Sequence, residues 1–265
     1  MDRFTPYREQ LDALEKAGRK RRLSIPAGKD FSSNDYLGLS RSPYLKDSAQ
    51  TAIANGIAHG SGGSRLLGGN HPEHEALEDF AADHFGSESS LFFGSGFAAN
   101  TALFATLPQT GDLLLYDELI HASVHDGMKL GRASFRAFPH NDCNAVERDI
   151  QNWRTSGGTG TIWIAAESLY SMDGDRAPLV DLARIADMHD AMLVIDEGGL
   201  LTMPKILREF FINRARPFIF STAPSPLTAH LAQQAIAYVA DNSSLQSDLA
   251  GHIALARDCF AGLSL

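Results

Sequence analysis

Cysteine is scarce in this chain: only Cys143 and Cys259 occur among 265 residues. Two thiols cannot make a disulfide framework, and a reducing, cytoplasmic setting is the natural expectation. Long apolar runs are absent too, and none approaches the ~20 residues a membrane-crossing helix needs. The N-terminus, MDRFTPYREQLDALEKAGRKRRL, lacks the apolar core of a signal peptide. Positive charge is in deficit: 23 Lys and Arg against 32 Asp and Glu leave a net charge of -9. That balance argues against a nucleic-acid partner or an anionic membrane surface. No Gly-rich loop ending in Lys-Ser or Lys-Thr is present, which removes the nucleoside-triphosphatase reading. His71, His74 and His84 come without a Cys pair or an HExxH motif, so no metal site is expected. Internal repeats and low-complexity tracts are missing as well.

What is present is a regular alternation. The N-terminal stretch reads as an amphipathic helix ending in the basic cluster Arg19, Lys20, Arg21 and Arg22, whose charge suits the negative pole of a helix. A turn-rich segment around Phe31 and Tyr36 follows, and Ser42-Pro43 then opens a helix to about Ala58. GSGGSRLLGGNHP packs glycines around Arg65, a loop whose backbone could approach a ligand. From there strands and helices alternate. Strands are expected at Ser90–Gly94, Asp112–Asp117, Ala133–Phe138, Thr161–Glu167, Ala191–Ile195 and Pro217–Thr222. Helices are expected at Pro72–His84, after Gly96, at His121–Leu130, Asp142–Trp153, Pro178–His189, Pro204–Asn213 and Pro226–Ala240. Such spacing implies right-handed crossovers and a mostly parallel sheet flanked by helices, an α/β fold.

The run Ala191–Ile195 is apolar throughout and reads as a strand buried on both faces. Asp196 follows it at the carboxyl end, where open α/β sheets bind ligands. Gly94-Ser95-Gly96-Phe97 lies between a strand and a helix, and a helix N-terminus can hold a phosphate. His121, Glu167, Ser168, Ser171 and Asp173 project from the same sheet edge.

At this point several segments resemble the α-oxoamine synthases: FSSNDYLGLS, GSGGSRLLGGNHPEHEALE, GSGFAAN, DELIHASVHDG, AESLYSMDGDRAPL, LVIDE and RPFIFSTAPSP. The nearest branch serves biotin synthesis, condensing L-alanine with a pimeloyl thioester. The resemblance runs from the N-terminal helix to about Ala240. It implies a type I, aminotransferase-like fold, the cofactor pyridoxal 5'-phosphate, acyltransferase chemistry and a homodimer. By residue, the Gly96-Phe97 backbone would hold the cofactor phosphate, and His121 would stack on its ring and face the substrate. Ser171 would sit near the ring hydroxyl and Asp196 would pair with the ring nitrogen. Thr222 could reach a partner subunit's phosphate, and Arg21 and Asn34 would lie at the substrate entrance.

Two departures accompany the resemblance. The family continues Asp-Glu-Ala-His after the strand, whereas Glu197 here runs into Gly198-Gly199. A helix, a strand and the loop carrying the Schiff-base lysine are expected next, but the chain passes at once to LLTMPKILREFF. Its lysines are Lys16, Lys20, Lys29, Lys46, Lys129 and Lys205, none of them in that motif. Part of the sheet and the C-terminal domain are thus expected to be missing. The parts are an N-terminal helical segment (1–60), a cofactor-binding domain (61–240, with a deletion near 198–200) and the start of a shortened C-terminal segment (241–265). Loss of a central strand would leave the Ala191–Ile195 edge unpaired, unless Pro217–Thr222 slid in beside it.

Overall fold

The computed structural model describes residues 2–25, 27–30 and 32–261, which form two compact units, up to Leu39 and from Ser40 on. Phe31 lies outside the described residues. In the N-terminal unit, helix α1 spans Thr5–Lys16 and buries none of its residues. It stops short of the expected basic cluster. Gly18 adopts a positive φ of 66°, which helical residues do not share, and the chain leaves the helix there. Lys20 and Arg22 both turn back to Glu15.

The second unit holds the sheet. Helix α2 (Pro43–Ala54) starts at Pro43 as expected and ends before Ala58, where Gly56 turns at positive φ. Helix α3 (Pro72–His84) is capped by His71, whose Nδ1 accepts the Glu73 N–H. Strand β1 (Ser89–Phe92) leads to α4 (Gly96–Thr106), and β2 (Leu113–Asp117) to α5 (Ala122–Leu130). Next come β3 (Ser134–Phe138), α6 (Cys143–Thr155), β4 (Ile162–Glu167) and α7 (Leu179–Met188). Strands β5 (Met192–Asp196) and β6 (Leu200–Met203) are followed by α8 (Lys205–Arg214), α9 (Arg216–Ile219), α10 (Pro226–Asp241) and α11 (Ser244–Phe260).

The strands assemble into two pieces. One is a parallel sheet in the order β3-β2-β4-β5; the other is an antiparallel pair, β1-β6. Both are backed by one helix layer. Leu114 and Trp163 of the first piece and Leu91, Leu201 and Met203 of the second pack into a common core with Ala99, Leu103 and Leu107 of α4. The opposite faces separate. Leu113, Ile164 and Ile162 meet α6 and α7, whereas Phe92 packs with Leu77 and Ala229.

Strand β5 corrects the expectation of a fully buried strand. Its faces are covered: Met192 and Val194 join one core, and Leu193 and Ile195 the other. Yet all five residues are only half-buried, because β5 pairs with β4 on one side and, among the described residues, with no strand on the other. The expected strand Pro217–Thr222 is not one. Arg216–Ile219 form a short helix with Pro217 in its first turn, and the β5 edge stays open. Pro217 offers no N–H to a ladder, which suits a helix start better than a strand.

The Arg65 loop is used for packing. Arg65 makes a bidentate contact with Glu78 at 2.7 and 3.2 Å, and Arg208 reaches the same carboxylate at 3.0 Å. Glu78 also accepts the Phe92 N–H at 2.9 Å. The turn is tight enough that a Cβ on Gly69 would stand 2.1 Å from the Gly63 carbonyl oxygen, which accounts for the glycines.

Candidate functional site

Strands β2, β4 and β5 end on carboxylates: Asp117, Glu167 and Asp196. Three acids at neighbouring strand ends repel one another unless each is differently partnered. Asp117 is fully buried and accepts the N–H groups of Leu119 and Asn141, both at 2.9 Å, together with His140 Nδ1 at 2.8 Å. The other nitrogen of His140 lies 2.7 Å from Asp175. Burial would lower the pKa of His140, but the two carboxylates outweigh it and the net shift is upward. The two acids thereby favour the protonated imidazole between them. Tyr170 stacks edge-on against His140, and its phenol is pushed up by burial and then by Asp117.

Asp196 is partnered from the opposite side. Asn100, on α4 and nearly fully buried, donates to Asp196 Oδ2 at 2.6 Å and to Ser123 Oγ at 2.9 Å. Ser123, the first-turn residue of α5, lies 2.7 Å from His121 Nδ1, and that nitrogen also accepts the Ser123 N–H at 3.2 Å. Nδ1 is therefore the acceptor, the Ser123 hydroxyl donates to it, and the ring proton sits on Nε2. One hydrogen-bonded chain thus links Asp196, Asn100, Ser123 and His121. Burial raises the pKa of Asp196, opposed by the Asn100 bond and by His121. Glu167 is raised by burial and then by Asp196 itself.

The N-terminus of α4 faces this group. Ser95 caps it by accepting the Ala98 N–H at 3.1 Å. Among the described residues no acceptor is placed on the N–H of Gly96 or of Phe97. Gly198 and Gly199 run along the same helix end. A Cβ on Gly96 would lie 3.2 Å from the Gly198 backbone, and one on Gly199 would lie 3.1 Å from the Ser95 carbonyl carbon. Gly198 has φ 144°, a conformation that side chains rarely adopt.

The structure therefore brings Gly96, Phe97, His121 and Asp196 to one end of the sheet. Ser171 is set apart. It is exposed at the tip of a hairpin after β4 that is closed by the Leu169–Arg176 bridge. Thr222 is exposed beside Ser95 on a small hollow of about 130 Å³. Arg21 and Asn34 belong to the N-terminal unit, both exposed, with Asn34 Oδ1 3.5 Å from the Tyr36 hydroxyl. Asn100 and Ser123 escaped the sequence reading. Their signal was spacing: Asn100 stands four residues after Gly96, one helical turn into α4, and Ser123 two after His121.

Among the described residues, no lysine lines the 530 Å³ cavity that includes Asn100, Asp196 and Glu197. Lys205 is exposed at the start of α8, and its backbone N–H is held by Glu88 at 3.0 Å. No group of three or more His, Cys, Asp or Glu among the described residues is arranged to hold a metal ion.

A parallel sheet with carboxylate, histidine and helix N-terminus at its carboxyl edge defines the class, and comparison with known proteins agrees. The model of aminotransferase class I and II matches residues 28–198, and the chain belongs to that family. The cofactor of the family is pyridoxal 5'-phosphate. The chain is 34% identical to 8-amino-7-oxononanoate synthase of Citrifermentans bemidjiense, covering 96% of this chain and 78% of that protein. It is 36% identical to the enzyme of the same name from Methylobacterium radiotolerans, over 86% and 71%. Serine palmitoyltransferase of Sphingomonas wittichii shares the fold at a TM-score of 0.75 and 23% identity, covering 90% and 72% of the two chains. The 8-amino-7-oxononanoate synthase of Francisella tularensis superposes with a TM-score of 0.60 at 26% identity, over 77% and 68%. The alignment with the Citrifermentans protein extends over 308 positions, more than the 265 residues of this chain. Such an alignment requires positions with no residue here, and the family match stops at Gly198.

Proposed function

We propose that this chain is an α-oxoamine synthase of the 8-amino-7-oxononanoate synthase lineage that retains a pyridoxal-phosphate site and lacks its reaction. The ancestral reaction in this reading is the decarboxylative condensation of L-alanine with a pimeloyl thioester in biotin synthesis. The donor set fits the cofactor: two N–H groups at a helix N-terminus, with no acceptor among the described residues, suit a phosphate, and a carboxylate held by Asn100 suits a protonated ring nitrogen. Gly96 and Phe97 would bind the phosphate, and Asp196 would hold the proton on the ring nitrogen. His121, tethered at Nδ1, would offer its ring face to the pyridine and its Nε2–H to the substrate side. When bound, pyridoxal phosphate supplies an electron sink for charge developing at the substrate Cα. Ser171 would serve the ring hydroxyl only through movement of its hairpin. In a homodimer, Thr222 would face the partner's phosphate, and Arg21 and Asn34 would guard the substrate entrance. The cofactor-binding portion is taken as residues 61–240.

The observation that carries this reading is that, among the described residues, no lysine lines the cavity bounded by Asp196. The condensation needs a base to take the proton at the substrate Cα and an amine to tether the cofactor. Neither His121, held through Nδ1, nor Asp196, engaged with Asn100, replaces a lysine. The test mixes protein with pyridoxal phosphate, reduces with borohydride, digests and maps by mass spectrometry. Saturable, reversible binding with only scattered labelling of surface lysines is expected, and no oxononanoate should form from alanine and pimeloyl thioester. Near-stoichiometric modification of Lys205, abolished in Lys205→Ala, would overturn the reading.

A further inference from the structure

The open edge of β5 and the open edge of β6 face one another. All five residues of β5 and all four of β6 line the same 530 Å³ cavity. Among the described residues neither strand has a second neighbour, so each wall presents backbone N–H and C=O groups with no ladder partner there. The floor is apolar and belongs to the shared helix layer: Leu103 and Leu107 of α4 and Leu207 of α8. The link Glu197–Gly199 fits the same picture. Four Cα–Cα steps from Asp196 to Leu200 reach at most ~14 Å. One strand placed between two neighbours separates them by ~9.6 Å. The link is long enough to straddle one strand.

We propose that this cavity is a strand-binding slot, and that its occupant is an extended, uncharged segment donated by another polypeptide. The segment would be four or five residues long, hydrogen-bonded to β5 and β6 together, with every second side chain apolar toward Leu103, Leu107 and Leu207. Recognition rests on backbone bonds along both walls, the mode by which a sheet accepts an added strand. A sheet edge from a second copy does not meet the requirement, because it brings its own neighbouring strand and can pair with one wall only. The alignment with relatives points the same way, since they carry residues for which this chain has no counterpart. The slot shares Asp196 with the proposed cofactor site, but the inference rests on the two open strand edges and not on cofactor binding.

The probe is the peptide acetyl-Thr-Val-Thr-Val-Thr-Val-Thr-amide, with a version carrying proline as its fourth residue as the control. Backbone exchange is followed by hydrogen–deuterium mass spectrometry on the full chain. At a peptide concentration about ten times its Kd, exchange should slow about tenfold at both Met192–Asp196 and Leu200–Met203. The proline peptide, which cannot donate from its centre, should change neither. The proposal is overturned by three results. They are no slowing with the valine peptide, slowing at β5 alone, and slowing at both strands that grows with protein concentration in the absence of peptide.

Discussion

Glu167 and Asp196 are register partners at the carboxyl ends of β4 and β5, two carboxylates side by side at the edge of one sheet. Burial raises both, but the Asn100 bond opposes the shift at Asp196, while Asp196 itself adds to the shift at Glu167. Asp196 is thus the member of the pair whose carboxylate is already held by a side-chain donor.

Asn100→Ala should weaken pyridoxal-phosphate binding. Removing Asn100 deletes two hydrogen bonds and one of the causes that lower the Asp196 pKa, so the carboxyl spends more time neutral. A loss of about 1–2 kcal/mol, or roughly tenfold in Kd, is expected. Absorbance titration across pH would show the affinity falling off at a higher pH in Asn100→Ala than in the parent. Superimposable curves would remove Asn100 from the site.

Asp196→Ala should cost more cofactor affinity than Asp175→Ala. Asp175 is committed to His140 and Asn141 and lies outside the Asn100–His121 chain. Equal titrations for the two variants would contradict the assignment of Asp196.

His140 should make stability pH-dependent. Its folded pKa is raised, so the contribution is complete below the unfolded value of about 6.5 and fades as pH rises through the folded one. Asp117 and Asp175 face it directly, with Asn141 and Tyr170 beside them. Thermal melts between mildly acid and alkaline pH should show the slope in the parent and a flatter one in His140→Gln.

Glu78→Ala should be severely destabilising, by about 3–5 kcal/mol, because it strands two guanidinium groups and a backbone N–H. Denaturant unfolding measures it. A loss below about 1 kcal/mol would mean that water replaces the carboxylate.

The alternation of apolar runs and capped helices made most elements legible in the sequence, since each local pattern agreed with its neighbours. The placement of Asp196 at a strand end and of His121 at a helix start was legible from the local pattern alone. Pro217–Thr222 misled because PFIFST has the β-branched and aromatic content of a strand, while Pro217 removes a donor and favours a helix start. The openness of β5 followed from the short link, yet its half-burial was invisible in an apolar run that looks the same beside one neighbour or two. Asn100 and Glu78 stayed hidden for a different reason. A polar residue inside a helix gives no sign of its partner, and Asp196 and Arg65 are distant in sequence or sit in a loop.

The helix layer common to both sheet pieces has a mechanical meaning. With Leu103 and Leu107 of α4 set against side chains from both sides of the split, the two pieces are riveted to the same keel. The strand between them is then a plank and not a beam: its absence leaves a gap in the deck while the hull stays whole. Heat should therefore melt the two pieces together, in a single transition.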